Sequence, residues 1–140
     1  LRNCRLVTMS ACETGLTEFS NTSDEYIGLP SGFMLAGSPN VLGSLWTVDA
    51  FATALLTTRF YQEVKSCANI VLALKVAQTW LRDSTIEDFQ AWLPHSPLNE
   101  EWQEVLGASL EEWKEEEGAT SKPFASPYYW GAFCAVGKGV

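Results

Sequence analysis

Residues 41–48 read "VLGSLWTV", a short run of β-formers, and Asp49 stands directly after it at the head of "AFATALLTTRFYQEV". No other feature constrains the fold as strongly. A bounded apolar run of this length suits a buried strand. An aspartate in that position accepts from the free N–H groups of a helix's first turn. A strand therefore feeds straight into a helix, which is predicted to run to about Lys65. Gly43, inside the run, points to the close approach of another backbone.

The same grammar recurs along the chain. Arg5 to Ala11 is near-continuously apolar and β-branched, the pattern of a strand covered on both faces. Gly15 to Gly28 is polar and reads as a surface loop beside that strand's end. "LPSGFMLAGSPN" sets Pro30 and Ser31 early and Gly37 late, the start and stop of a short helix. Between Ile70 and Arg82, the residues Ile70, Ala73, Leu74, Ala77 and Leu81 recur three and four apart, with Lys75, Gln78, Thr79 and Arg82 on the other side, so an amphipathic helix packs on a sheet. From Asp83 to Lys122 two tryptophan-bearing polar helices flank "PHSP", which Pro94 and Pro97 should keep non-helical. This reads as an inserted helical hairpin, expected to cover a sheet edge or meet a neighbouring domain. "YYWGAFCAVG", residues 128–137, reads as a last strand. The expected architecture is a layered α/β domain of mostly parallel strands joined through helices. Ligands gather at the C-terminal ends of such strands, which should bring Ser10 to Glu13 and Trp46 to Asp49 to one rim.

Charge and cysteine usage exclude several function classes. The formal charge of −8 over 140 residues is concentrated between Glu100 and Glu117, where eight Glu face one base, Lys114. That run reads as a solvated helix face. The rest is close to neutral and carries no Lys/Arg stripe to meet phosphates, which argues against nucleic acid. No apolar run is long enough to cross a bilayer and no signal segment is present. Both ends read as cuts through a longer protein. The four cysteines, 4, 12, 67 and 134, form no C-x-x-C and have no paired histidines, so no metal site or other cofactor is implied. Cysteines inside apolar runs of a core-forming chain point to a reducing, cytoplasmic setting.

"VTMSACETG", residues 7–15, ends a strand in small residues around Cys12. A cysteine nucleophile needs a thiolate, a nearby base and donors for the oxyanion. A sharp turn through small residues exposes the sulfur and frees its backbone N–H. Glu13 opposes activation, because a neighbouring negative charge raises a thiol's pKa. "SACETG" shares its A-C and a nearby Gly with the caspase signature and differs at the flanks.

Taken together, "LVTMSACETG", "GLPSGFMLAGSPNVLGSLWTVD", "TTRFYQEV" and "SPYYWGAFCAVG" resemble the C-terminal part of CHAT domains, bacterial caspase-like modules related to separases and often fused to tetratricopeptide repeats. Four matches in order are far more specific than one cysteine. The likeness spans residues 1–140 except an insertion at about 83–122. It implies a cysteine endopeptidase in which Cys12 matches the nucleophile and a protein or peptide is the substrate. It also implies a general-base histidine, followed by Gly, at the end of the preceding strand. Eleven residues precede Cys12 and none is His. His95, in a Pro-bracketed loop outside every matched motif, reads as an exposed structural residue. The base is therefore expected on another segment or polypeptide, and this chain alone is expected to be inactive.

Asp49 has two compatible readings: a helix cap, and, by the resemblance to separase-like relatives, the acid that receives a basic substrate side chain. Its spacing from Trp46 departs from that pattern, with Thr47 directly after the Trp. Trp46 is expected in the core, contributing some pocket wall. Trp80, Trp92, Trp102 and Trp113 are expected in packing or in an interface with the rest of the protein; the resemblance also implies a fused or bound regulatory partner, such as a tetratricopeptide-repeat domain. Cys4, Cys67 and Cys134 read as inert interior thiols. The alternative to the peptidase is a non-catalytic binding or scaffolding module with the same fold.

Overall fold

The computed structural model describes residues 3–9, 29–67 and 69–139, with Leu29 described by its backbone alone. Its centre is the predicted second strand in shortened form: it ends at Ser44, and residues 45–49 lead outside the sheet to the helix rather than carrying the strand straight into it. This strand, β2 (Asn40–Ser44), is buried along its whole length. It lies between β1 (Val7–Thr8) and β3 (Phe133–Gly137). β1 runs parallel to β2, with Val7 opposite Val41 and Thr8 opposite Leu42. β3 runs antiparallel to it, from Ser44 opposite Phe133 to Asn40 opposite Gly137.

Three expectations are corrected here. The sheet is only partly parallel. β1 is half-buried rather than covered on both faces, as befits an outer strand of the described sheet. Residues 128–130 are helical, not extended: α6 (Pro127–Trp130) is capped by Ser126 and opened by Pro127, a residue pre-set for a first helical turn. α6 also explains the antiparallel pairing. It is tied to the segment just after β2, because Leu45 N–H donates to the Ala132 carbonyl at 2.8 Å and the Trp46 indole Nε1–H donates to the Tyr128 carbonyl at 3.0 Å. β3 therefore starts beside the C-terminal end of β2 and must run back down it.

The helices follow the sequence grammar closely. α1 (Leu29–Leu35) ends where Gly37 takes φ 102°, a left-handed turn that glycine adopts without a Cβ clash. There Ser38 N–H closes on the Phe33 carbonyl at 3.1 Å. α2 (Ala50–Ser66) opens on Asp49, whose Oδ1 accepts from Ala52 N–H at 2.8 Å. α3 (Ile70–Asp83) buries Ile70, Ala73, Leu74, Ala77 and Leu81, the predicted stripe. Its Gln78 departs from the expected polar face. The Gln78 side-chain amide donates to the Trp130 and Phe133 carbonyls, both at 2.9 Å, and so satisfies the bend between α6 and β3.

α2 and α3 pack on the sheet face that presents Leu42, Phe133 and Ala135, and the fully buried Leu55, Leu56, Phe60, Ala77 and Leu81 join them in one core. At the opposite end from the Asp49 junction, Asn40 is 2% exposed. Its Nδ2 donates to the Arg5 carbonyl at 2.9 Å, and its Oδ1 accepts from Gly139 N–H at 2.7 Å. Gly137 sits against this clasp at φ 137°, where an added Cβ would lie 2.2 Å from the Pro39 carbonyl oxygen. Only glycine fits there.

The hairpin comprises α4 (Ile86–Trp92) and α5 (Glu100–Glu117). They run antiparallel: the Gln90 amide reaches Glu111 at 2.6 Å, while Leu93 packs near Gly107. Pro94 is not a break. It lies in the first turn of a 3-10 helix, Leu93–His95, that prolongs α4, a position where the missing N–H costs nothing. The chain leaves helical geometry only at Ser96. All eight Glu between 100 and 117 are exposed, as expected of a solvated face.

Rather than covering a sheet edge, the hairpin meets the helical layer through aromatic rings. Phe51 contacts Trp113 at 4.7 Å, and Phe124 contacts Phe89 at 5.6 Å and Tyr129 at 5.2 Å. Trp80 contacts Trp92 at 4.9 Å. Each such pair adds about 1 kcal/mol beyond the area it buries. Trp80, Trp92 and Trp113 are thus packing residues, whereas Trp102 is 54% exposed. Among the described residues, no helix is long and apolar enough to cross a membrane.

Candidate active site at the sheet rim

β1 and β2 are parallel neighbours, so their C-terminal ends point the same way. Met9 N–H extends the ladder by donating to the Leu42 carbonyl at 2.8 Å. The chain leaving β1 after Met9 and the segment Leu45–Asp49 leaving β2 therefore depart from one edge of the sheet. Cys12, with Ser10, Ala11 and Glu13, lies outside the described residues, as does the predicted surface loop of residues 15–28.

What the described part of the rim offers is a rigid frame. Trp46 is half-buried, packs against the core and is anchored by its indole bond to Tyr128. This matches its expected place in the core. Asp49 is exposed and is the helix cap. While Oδ1 holds Ala52 N–H, its backbone carbonyl accepts from Thr53 N–H at 3.0 Å and from Thr53 Oγ1 at 2.7 Å. The capping reading of Asp49 is thus fulfilled in full, and it orients the carboxylate at the N-terminal end of α2.

Beneath this frame lies a small cavity of about 10 Å³ lined by Thr8, Met9, Leu42, Ser44, Val48, Thr53, Thr57 and Phe133. A space of that size holds about one water at most. As lined by the described residues, it is too small to take a substrate side chain. Thr8 also shares a hydroxyl–hydroxyl hydrogen bond of 2.6 Å with Tyr61 of α2. Nothing in the residue pattern pairs Thr8 with Tyr61, which are 53 positions apart. The same holds for Gln78, whose helical position alone assigns it to solvent.

His95 is on the helical insertion, remote from Asp49 along α2. It is exposed at the end of the 3-10 turn. Its near neighbour Trp92 bonds to Gln62 at 3.2 Å, which at 1.5 Å of rise per residue sits about 20 Å along α2 from the Asp49 cap. The described cysteines are half-buried and free. Cys4 Sγ donates to the Leu6 carbonyl at 3.2 Å. Burial pushes the Cys134 thiol above its ordinary pKa, which disfavours the reactive thiolate. Among the described residues, no group of His, Cys, Asp and Glu is gathered to hold a metal ion.

No curated protein and no solved structure matches the chain. A family model does. The CHAT domain model aligns with residues 1–138, a span that takes in "VTMSACETG", the Trp46–Asp49 junction and β3. By that match over nearly its whole length, the chain belongs to the CHAT domain family, a caspase-like cysteine peptidase family.

Proposed function

We propose that these 140 residues are the nucleophile-bearing, C-terminal part of a caspase-like cysteine endopeptidase domain. Residues 83–122 are its helical insertion. Cys12 is the nucleophile. The general-base histidine comes from a segment outside this sequence, and fused or bound partner domains gate the activity. Trp46 and Asp49 stand on the substrate side of the rim, where the carboxylate receives a basic side chain.

The observation that carries this reading is the parallel register of β1 and β2. Thr8 lies opposite Leu42, so the strand leading to Cys12 and the segment leading to Asp49 end at one edge. A thiolate there would attack the scissile carbonyl carbon. Its own backbone N–H would donate to the developing oxyanion, and the imidazole would return a proton to the leaving amine. In the same reading the helix cap does double duty, holding α2 through one carboxylate oxygen and offering negative charge at a fixed place.

The test is thiol reactivity in the full-length protein near neutral pH. Cys12 is expected to alkylate about tenfold or more faster than Cys4, Cys67 or Cys134. Cys12→Ala should abolish cleavage of the natural substrate, while His95→Ala should leave it unchanged. Equal reactivity of the four thiols, with cleavage surviving Cys12→Ala, refutes the peptidase. Equal reactivity with no cleavage by the native protein leaves the binding module, which the exposure of His95, the one histidine of the sequence, favours.

A further inference from the structure

β1 is short for the task just given to it. Its ladder consists of Val7 and Thr8, extended by the single bond from Met9 N–H to Leu42. So brief a pairing specifies register weakly, and a slip of one residue would turn every side chain to the opposite face. Side chains must supply the rest. At the strand's entry, buried Asn40 grips the Arg5 carbonyl at 2.9 Å. At its exit, Thr8 Oγ1 meets the Tyr61 hydroxyl at 2.6 Å.

The second grip reaches from the sheet to a helix. Tyr61 is on α2 next to Phe60, which is fully buried, and the two rings meet edge-on at 5.3 Å. Tyr61 itself is 44% exposed, so its hydroxyl adds little to the core. Its bond instead ties the end of β1 to the same helix whose N-terminus holds Asp49. Cys12 follows Thr8 by four positions in the sequence.

We propose that Tyr61, through its hydrogen bond to Thr8, is a positioning residue that locks the exit of β1 to α2 and thereby governs the reactivity of Cys12, four positions on in the sequence. The proposal rests on Cys12 being the nucleophile. It predicts that removing a hydroxyl changes the reactivity of one cysteine while the fold persists. Misplacing a reacting group by about 1 Å can cost about 100-fold in rate; loss of one exposed pin should cost less, about five- to twentyfold.

The experiment uses the full-length protein and four variants: Tyr61→Phe, Thr8→Val, the double variant, and Thr8→Ser, which keeps the hydroxyl. Two assays are run: one gives the second-order alkylation rate of Cys12 against the other three thiols, the other kcat and KM for cleavage. Tyr61→Phe and Thr8→Val should each slow Cys12 alkylation and lower kcat by similar factors with KM nearly unchanged. The double variant should be no slower than either single, because both remove the same bond. Thr8→Ser should react as the native protein does. Unchanged Cys12 rates in Tyr61→Phe and Thr8→Val, or additive losses in the double variant, overturn the positioning role while leaving Cys12 as nucleophile. A native Cys12 that alkylates no faster than the other thiols fails earlier and takes down both assignments.

Discussion

Asp49 is asked to do two things, and three substitutions separate them. In the structure its Oδ1 accepts the Ala52 N–H at 2.8 Å, the side-chain bond of an N-cap. Behind that cap, α2 carries Ala52, Leu55, Leu56 and Phe60, each 0% exposed, so fraying the first turn loosens the core directly. Asp49→Ala removes the acceptor and should cost about 1 kcal/mol, or about 4 °C in Tm for a domain of this size. Asp49→Asn keeps an acceptor oxygen and should lose only the favourable meeting of a carboxylate with the helix N-terminus, about 0.5 kcal/mol. Asp49→Ser should fall close to Asn. Thermal and urea unfolding measure these differences.

Activity should rank the variants differently. If the carboxylate receives a basic side chain, the bond it makes is charge-assisted and worth about 1.5–3 kcal/mol, or about 10- to 100-fold in kcat/KM. Asn, Ser and Ala should then all lose that factor on Arg- or Lys-containing peptides in the full-length protein, although only Ala is clearly destabilised. Asn as unstable as Ala would refute the capping argument. An Asn variant that keeps both its stability and its preference for basic peptides would refute the substrate role and leave Asp49 a cap alone.

Two further outcomes follow from the geometry. Asn40→Ala strands the buried Gly139 N–H and the Arg5 carbonyl, now held at 2.7 and 2.9 Å; a loss of about 3 kcal/mol is expected by urea unfolding, and one under about 1 kcal/mol would mean that water replaces the amide. Hydrogen bonds from the Thr85 backbone N–H, then from its hydroxyl, hold the Asp88 carboxyl below the ordinary aspartate value of 3.8. A pKa depressed by folding contributes stability that is present above the unfolded value and is lost as pH falls through the folded one, so acid unfolding below pH 4 should flatten in Asp88→Asn relative to the native chain.

Where local chemistry decides structure, the residues could be read directly. The α3 stripe Ile70, Ala73, Leu74, Ala77 and Leu81 is buried as its spacing demands, because a helix that faces a sheet has only one way to hide it. Asp49 caps α2 because the first turn of a helix leaves free N–H groups that only a neighbouring acceptor can reach. Gly37 ends α1 for an equally local reason. "YYW" is helical despite its strand-like composition, because the capping of Ser126 and Pro127 outranks the β-propensity of three aromatic residues. Pro94 leaves the helical path intact because a proline in a first turn interrupts nothing.

The sequence by itself determined the α/β class, the extents of α2 and α3, the solvated acidic face and the family, since these depend on period, caps and motif order along the chain. Only tertiary structure decided the direction of β3, the placement of the hairpin on the helical layer, the turning of Gln78 toward Trp130 and Phe133, and the meeting of Thr8 with Tyr61. Each of these depends on which distant segment occupies a given side of an element. That is set by the joint packing of the whole core and leaves no trace in any single stretch of residues.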